Sequence, residues 1–267
     1  MRIRPCIDIH NGRVKQIVGS TLKDQEDRIP GSARENFVAD KGASYYASIY
    51  RDMDLRGGHI ILLNSVREKA YEEDKIQAMA ALDAFPGGMQ VGGGITPETA
   101  GAFLNAGASH VIITSYVFRD GKLSESALAE MIRAVGRERI VLDLSCRKKS
   151  SGNYVVVTDR WQKFTDLEIN AEILDRLSAC CDEFLIHAAD VEGKQSGIEE
   201  NLVTVLGEWQ QKSGFPVTYA GGVHSFDDLK LIGNLSAGRM DVTVGRALSL
   251  FGGDLSLEDL VRTAKSV

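Results

Sequence analysis

No run of the chain is long and apolar enough to span a membrane, and Met1-Arg2-Ile3-Arg4 leads into a strand-like segment without the apolar core of a signal peptide. The expectation is a soluble, cytoplasmic protein with no membrane partner. Four cysteines, Cys6, Cys146, Cys180 and Cys181, lack the spacing of a metal site, so the sequence offers no metal ligand set and suits a reducing compartment. The adjacent pair Cys180-Cys181 reads as packing rather than redox chemistry. A net charge of −6 lacks the basic balance of a nucleic-acid binder. After the first apolar run the chain reads Ile9-His10-Asn11-Gly12, which is not the glycine fingerprint of a dinucleotide-binding fold, and no cofactor is implied. These absences leave an ordinary globular chain, since 43% hydrophobic and 25% charged residues suffice to bury a sizeable core.

The most informative stretch runs from Met89 to Thr96: a short apolar run, the glycines Gly92-Gly93-Gly94, then Thr96-Pro97-Glu98 opening a helix. Glycines let a backbone approach an anion, and the amides of a helix start point at it, so this is a candidate phosphate cradle. It has an echo from Thr218 to Ser225, where an apolar run meets Gly221-Gly222 and a second helix-start signal, Ser225-Phe226-Asp227-Asp228. The repeat continues beyond the glycines. Each copy runs on through a helix-like stretch and an Ala-Gly pair, Ala106-Gly107 and Ala237-Gly238, into a strand ending at Thr114-Ser115 or Gly245-Arg246. The strands opening each half also match, Ile7-Asp8-Ile9 and Leu142-Asp143-Leu144, and each is followed by a second β-like run. Two halves of comparable length make internal duplication the economical account.

The chain alternates strand-like and helix-like stretches throughout. Strands are expected over Arg4–Ile9, His59–Leu63, His110–Ser115, Arg139–Leu144, Phe184–Ala188, Pro216–Tyr219 and Asp241–Val244, besides the run into the first glycine turn. Helices are expected over 37–50, 72–85, from Ser124, and over 167–179, 198–211, 226–232 and 257–265. That pattern predicts a single α/β domain over residues 1–267, a (β/α)8 TIM barrel with an internal twofold half-barrel repeat and a site at the carboxyl ends of its strands. Asp8 and Asp143 then face each other across the mouth, with the glycine turns on opposite sides. Such a mouth suits an elongated ligand carrying a phosphate at each end, with a carboxylate pair between able to divide acid and base roles. The polar connection Gly19–Glu35 and the basic loop Cys146–Gly152 occupy matching places after the two aspartate strands and are expected to act as lids, with Arg147, Lys148 or Lys149 meeting ligand charge.

The combination RPCIDIHNGRVKQIVGSTL, VGGGITPETA, LIHAADVEGKQSGI, YAGGVHSFDDL and VGRAL resembles, over nearly the whole chain, the histidine-biosynthesis isomerase family acting on phosphoribosylformimino-5-aminoimidazole carboxamide ribotide, in its eukaryotic-type branch. The resemblance implies a barrel that opens the ring of a bis-phosphorylated aminoaldose and converts it to the aminoketose, an Amadori rearrangement without metal or cofactor. It implies Asp8 as the base that takes the C2 proton and Asp143 as the acid that assists ring opening. Gly93, Gly94 and Ser115 match one phosphate site, and Gly222, Gly245 and Arg246 the other. Trp161 matches a loop tryptophan that stacks on the substrate's imidazole. Two departures stand out. Bacterial members usually carry an arginine where this chain has Thr96, and a threonine near the end of strand six where it has His187-Ala188-Ala189, so His187 is the candidate for that place. The sister cyclase barrel that makes imidazole glycerol phosphate usually has Lys-Gly where this chain reads Lys15-Gln16. A non-catalytic phosphosugar-binding barrel would be expected to lose an aspartate. The partner expected is a small bis-phosphorylated substrate, and the protein is expected to act as a monomer.

Overall fold

The apolar runs form strands whose alternate residues face opposite ways, as a pleated backbone requires. In β1 (Cys6–His10), Ile7 and Ile9 join the main apolar core, while Cys6 and Asp8 line a central cavity. The computed structural model describes residues 1–17, 35–159, 161–194 and 196–267. Within them the chain continues through β2 (Arg13–Ile17), β3 (Glu35–Val38), α1 (Ala43–Asp52), β4 (Gly58–Leu62), α2 (Tyr71–Ala84), β5 (Met89–Gly92), α3 (Pro97–Asn105) and β6 (Val111–Ile113). A small hairpin, β7 (Phe118–Arg119) and β8 (Lys122–Leu123), precedes α4 (Glu125–Val135) and β9 (Ile140–Asp143). An antiparallel excursion follows, β10 (Cys146–Lys148), β11 (Tyr154–Thr158) and β12 (Lys163–Glu168). The chain then runs α5 (Ala171–Ser178), β13 (Glu183–His187), α6 (Glu200–Ser213), β14 (Val217–Ala220), α7 (Phe226–Ser236), β15 (Asp241–Thr243) and α8 (Leu257–Ser266).

The fold is α/β, with one large curled sheet ordered β15-β14-β13-β9-β6-β5-β4-β1-β2-β3. From β15 to β1 every neighbouring pair is parallel, and β2 and β3 extend β1 antiparallel. The two ends of the parallel run also touch. Ile3 forms a parallel bridge with Val242, where Arg4 N–H donates to the Val242 carbonyl at 2.8 Å and Val242 N–H to that of Arg2 at 3.0 Å.

Side chains reach across the interior of the curl. Ile112, Val141, Leu185 and Ala220 pack with Ile61 into a small apolar cluster separate from the main core. Ile61, Ile112 and Ala220 of that cluster line the cavity, forming its apolar floor. At the amino ends of the strands sits a buried polar plug. Arg4 Nε donates to Asp241 at 2.8 Å, and Gln90 of β5 donates at 3.0 Å to Glu183 of β13, three strands away in the sheet order. Thr218 completes it with a 2.6 Å bond to Glu183.

Two expected helices begin later than the residue pattern suggests. The periodicity from Phe37 predicts a helix, yet β3 takes residues through Val38 because Lys15 pairs with Val38 and Gln16 with Phe37, and α1 starts only at Ala43. Likewise Leu167-Glu168 belongs to β12, paired with β11, and α5 starts at Ala171 behind the Asn170 cap, whose side chain accepts from Ile173 N–H. Among the described residues no helix is long and apolar enough to cross a membrane.

Candidate active site

Strand parity brings the candidate residues to one place. Val141 and Asp143 share a face of β9, as Leu185 and His187 share a face of β13, while their neighbours Leu142 and Ile186 lie in the outer core. Asp8, Asp143, Gly93, Gly94, Ser115, Gly222, Gly245, Arg246, His187 and Trp161 all line a single cavity of about 960 Å³. That is at the upper end of the range for small-molecule sites.

The glycine turns are built alike. Gly93 and Gly94 have φ of 103° and 67°, and Gly221 and Gly222 have 126° and 75°, conformations that side-chain-bearing residues rarely adopt. Each first glycine packs on the end of the preceding strand: a Cβ on Gly93 would collide with the Leu62 carbonyl, and one on Gly221 would sit 2.9 Å from that of Ala188. The helix starts beyond them carry their own caps. Thr96 and Thr99 close α3, and Asp228 accepts from the amides of His224 and Ser225, both at 2.9 Å, at the start of α7. These caps take the amides of Thr96, His224, Ser225 and Asp228, next to the glycine turns. Ser115 is exposed beside the first turn. Arg246 beside the second is held by a 2.9 Å bond to the Phe251 carbonyl. Between β5 and β14, which carry the two turns, lie β13, β9 and β6 on one side and β4, β1 and β15 on the other, so the turns stand on opposite sides of the mouth.

The carboxylates have unlike surroundings. Burial and the neighbouring charge of Glu192 push the Asp8 carboxyl up to about 7, against the pull of His187. Gln16 of β2 reaches Asp8 at 3.5 Å, and its carbonyl oxygen lies only 2.6 Å from where a Cβ on Gly245 would stand, so the glycine makes room for it. Burial would also raise Asp143, but His187, by charge and hydrogen bond, and Ser145 together hold it below the usual carboxylate range. Ser145 donates to Asp143 Oδ1 from its amide at 2.9 Å and its hydroxyl at 2.7 Å. Thr114 reaches Oδ2 at 3.4 Å. The His187 Nδ1 stands 3.3 Å from Oδ1. Burial works against its charge, yet Asp143 lifts the imidazole to about 9.

Trp161 stands over His187 with ring centres 5.9 Å apart, in the turn between β11 and β12, at a φ of 67° unusual for a bulky residue. Two residues that sequence reasoning missed complete the wall. His59, 5.8 Å ring to ring from His187, is pressed down to about 3 by burial and by His187, so it stands neutral. Glu192, raised by burial, follows β13 in a polar loop at the carboxyl end of a strand, the place where such a fold puts functional groups. His59 had only its alternate-residue position on β4 to mark it.

The lid expectations fare differently. The connection Gly19–Glu35 lies outside the described residues except for Glu35, which opens β3. The basic loop is a hairpin turned elsewhere: Arg147 pairs with Asp190 at 2.8 Å and lies over Phe164, as does Lys149, and none of Arg147, Lys148 and Lys149 lines the cavity. Among the described residues, the basic side chain that the excursion brings to the cavity is Lys163, which opens β12 just after the turn carrying Trp161.

Residues 2–255 match the family model described as "Histidine biosynthesis protein". The chain is 50% identical over 98% of its length to a chloroplastic 1-(5-phosphoribosyl)-5-((5-phosphoribosylamino)methylideneamino)imidazole-4-carboxamide isomerase of Medicago truncatula, covering 81% of that protein. It is 47% identical over 95% of its length to the isomerase of the same name from Yarrowia lipolytica, covering 93% of it. With the one from Saccharomyces cerevisiae it shares 44% identity over 96% of its length, covering 95%.

Proposed function

The chain belongs to the isomerase family of histidine biosynthesis, and from that premise we propose that it converts the aminoaldose, whose two phosphoribosyl groups flank an imidazole carboxamide, to the corresponding aminoketose. The observation that carries this reading is the single cavity holding Asp8 and Asp143 between two glycine turns on opposite sides of the mouth. An Amadori rearrangement moves hydrogen from C2 to C1 of the same sugar, so it is redox-neutral overall and needs a proton donor and acceptor, not an external oxidant. Protonating the ring oxygen lets the amine nitrogen push the C1–O bond open to an iminium. Removing the C2 proton gives an enaminol, and reprotonation at C1 with loss of the enol proton gives the ketone.

In this assignment Asp8, raised toward neutrality by burial and Glu192, is the base at C2, a role its shifted carboxyl suits near pH 8. Asp143 serves the acid side, where the ring oxygen leaves. Gly93, Gly94 and Ser115 hold one phosphate, and Gly222, Gly245 and Arg246 the other, largely through backbone amides. Trp161 and His187 form the wall between, against which the imidazole lies. The same reading takes residues 1–267 as one closed (β/α)8 barrel domain built on a twofold half-barrel repeat, supported by the Ile3–Val242 bridge, and acting in the cytoplasm as a monomer on its small bis-phosphorylated ligand.

Incubation of the pure protein with the aminoaldose alone tests the assignment. The aminoketose should accumulate without ammonia or a glutaminase partner. An unchanged aminoaldose, or a product that forms only when ammonia is supplied, would rule out the isomerase reading.

A further inference from the structure

We propose that the proton delivered to the sugar ring oxygen is carried by His187, and that Asp143 is the positioning carboxylate that keeps the imidazole oriented and protonated. The inference rests on the isomerase reading and refines its acid side. Three donors converge on Asp143 Oδ1: the Ser145 amide, the Ser145 hydroxyl and His187 Nδ1, at 2.9, 2.7 and 3.3 Å. The fourth contact, the Thr114 hydroxyl at 3.4 Å, falls on Oδ2. A carboxylate is an acceptor only, and one that meets so many donors is an ionised group with no proton to give. A proton on Oδ2 would have to be held beside the cation that Oδ1 is bonded to.

His187 meets the requirements that Asp143 does not. It is the last residue of β13 and lines the cavity, with a side chain 12% exposed. With Nδ1 turned to Asp143, Nε2 is the nitrogen available to a ligand. The groups around the ring come from several elements. Asp143 lies on β9, Asp8 on β1, Glu192 in the loop after β13, His59 on β4 and Trp161 in the β11–β12 turn. Three carboxyl groups and one neutral imidazole surround it, which favours the cationic ring, and its lift to about 9 follows.

The steps balance. His187 Nε2–H gives its proton to the ring oxygen as the C1–O bond breaks and the iminium forms, leaving a neutral imidazole whose Nδ1–H still donates to Asp143. Asp8 takes the C2 proton to form the enaminol and returns it to C1. The enol hydroxyl proton passes to Nε2 as the ketone forms, and both groups are restored. This closed exchange needs no other proton source.

The test is the pH dependence of kcat and kcat/KM for wild type, His187→Gln and Asp143→Asn, beside a titration of the His187 ring by NMR. Glutamine keeps a donor toward Asp143 but cannot carry a transferable proton. His187→Gln should lose roughly 10²–10⁴-fold in kcat with little change in KM, and the fall of kcat/KM above pH ~9 expected of wild type should vanish. In Asp143→Asn the His187 titration should move down toward the ordinary imidazole range. A His187→Gln enzyme with near wild-type kcat and an intact basic limb would overturn the proposal and return the acid role to Asp143. If that variant fails to fold, the wild-type ring decides: His187 neutral at pH 8 overturns the proposal, and a protonated ring supports it. A wild type without turnover is a different failure, that of the isomerase reading itself.

Discussion

Asp8, the proposed base at C2, shows how a catalytic demand would conflict with stability at one residue. Its carboxyl is raised above the value of an unfolded chain by burial and by Glu192, so its protonated form suits the fold better than its charged form. The stabilising contribution of the protonated group is complete below the unfolded value of about 3.8 and is lost as pH rises through about 7. Asp8→Asn should therefore melt higher than wild type at pH 8, by roughly 1–3 kcal/mol once water in the cavity is allowed for, and the advantage should disappear near pH 4. The same variant should lose about 10²–10⁴-fold in kcat, and wild-type kcat/KM should fall as pH drops through ~7 because the base is then protonated. Thermal melts at the two pH values and a rate profile check both halves. A variant that loses activity but gains no stability at pH 8 would mean that folding does not raise the Asp8 carboxyl above its unfolded value.

Among the elements, those whose own residues carry the signal were legible in the sequence, and those defined by a partner were not. The helix caps Ser124, Ser225 and Ser256 stand one residue before α4, α7 and α8, each accepting from the backbone three residues on. Both glycine turns and both aspartate strands were likewise readable, because positive φ and period-two burial are local demands. β3 and β12 were not, since only pairing with β2 and β11 makes strands of residues whose periodicity suits a helix. For the same reason His59 and Glu192 were missed: each becomes a cavity residue only when the curl sets it beside His187. The capped helix starts give a prediction at this scale. Ser225→Ala should cost about 0.5–2 kcal/mol of stability but leave KM unchanged, because its hydroxyl serves the α7 amides rather than the ligand. Arg246→Ala should instead raise KM, by roughly 10–100-fold if one charge-assisted contact of about 1.5–3 kcal/mol is lost, with kcat little altered. Steady-state kinetics and denaturant melts of the two variants separate the helix start from the glycine turn as the anion site.

Across the whole molecule, the cavity depends on the sheet staying curled, and the contacts that tie its ends lie far from the chemistry. Arg4, which precedes β1, reaches Asp241 of β15 at 2.8 Å and Glu183 of β13 at 3.4 Å, and Glu183 is bonded in turn to Gln90 and Thr218. Each of these side chains is buried, and the Ile3–Val242 bridge lies directly beside them. A buried pair contributes little when intact compared with its replacement by apolar groups, but removing one partner strands the other charge away from water. Arg4→Ala leaves Glu183 without its cation and Asp241 with only the exposed Arg2 at the junction of the sheet's ends, so it should destabilise the protein by about 3–5 kcal/mol. Because the plug and the active site occupy opposite ends of the strands, the folded fraction should keep nearly normal kcat and KM below its lowered melting temperature. Hydrogen exchange gives the sharper reading. The amides of Arg4 and Val242, which hold the bridge, should exchange faster in the variant than the β5–β6 amides on the far side of the curl. Equal acceleration everywhere would show that the junction has no separate opening and that the sheet yields as one unit.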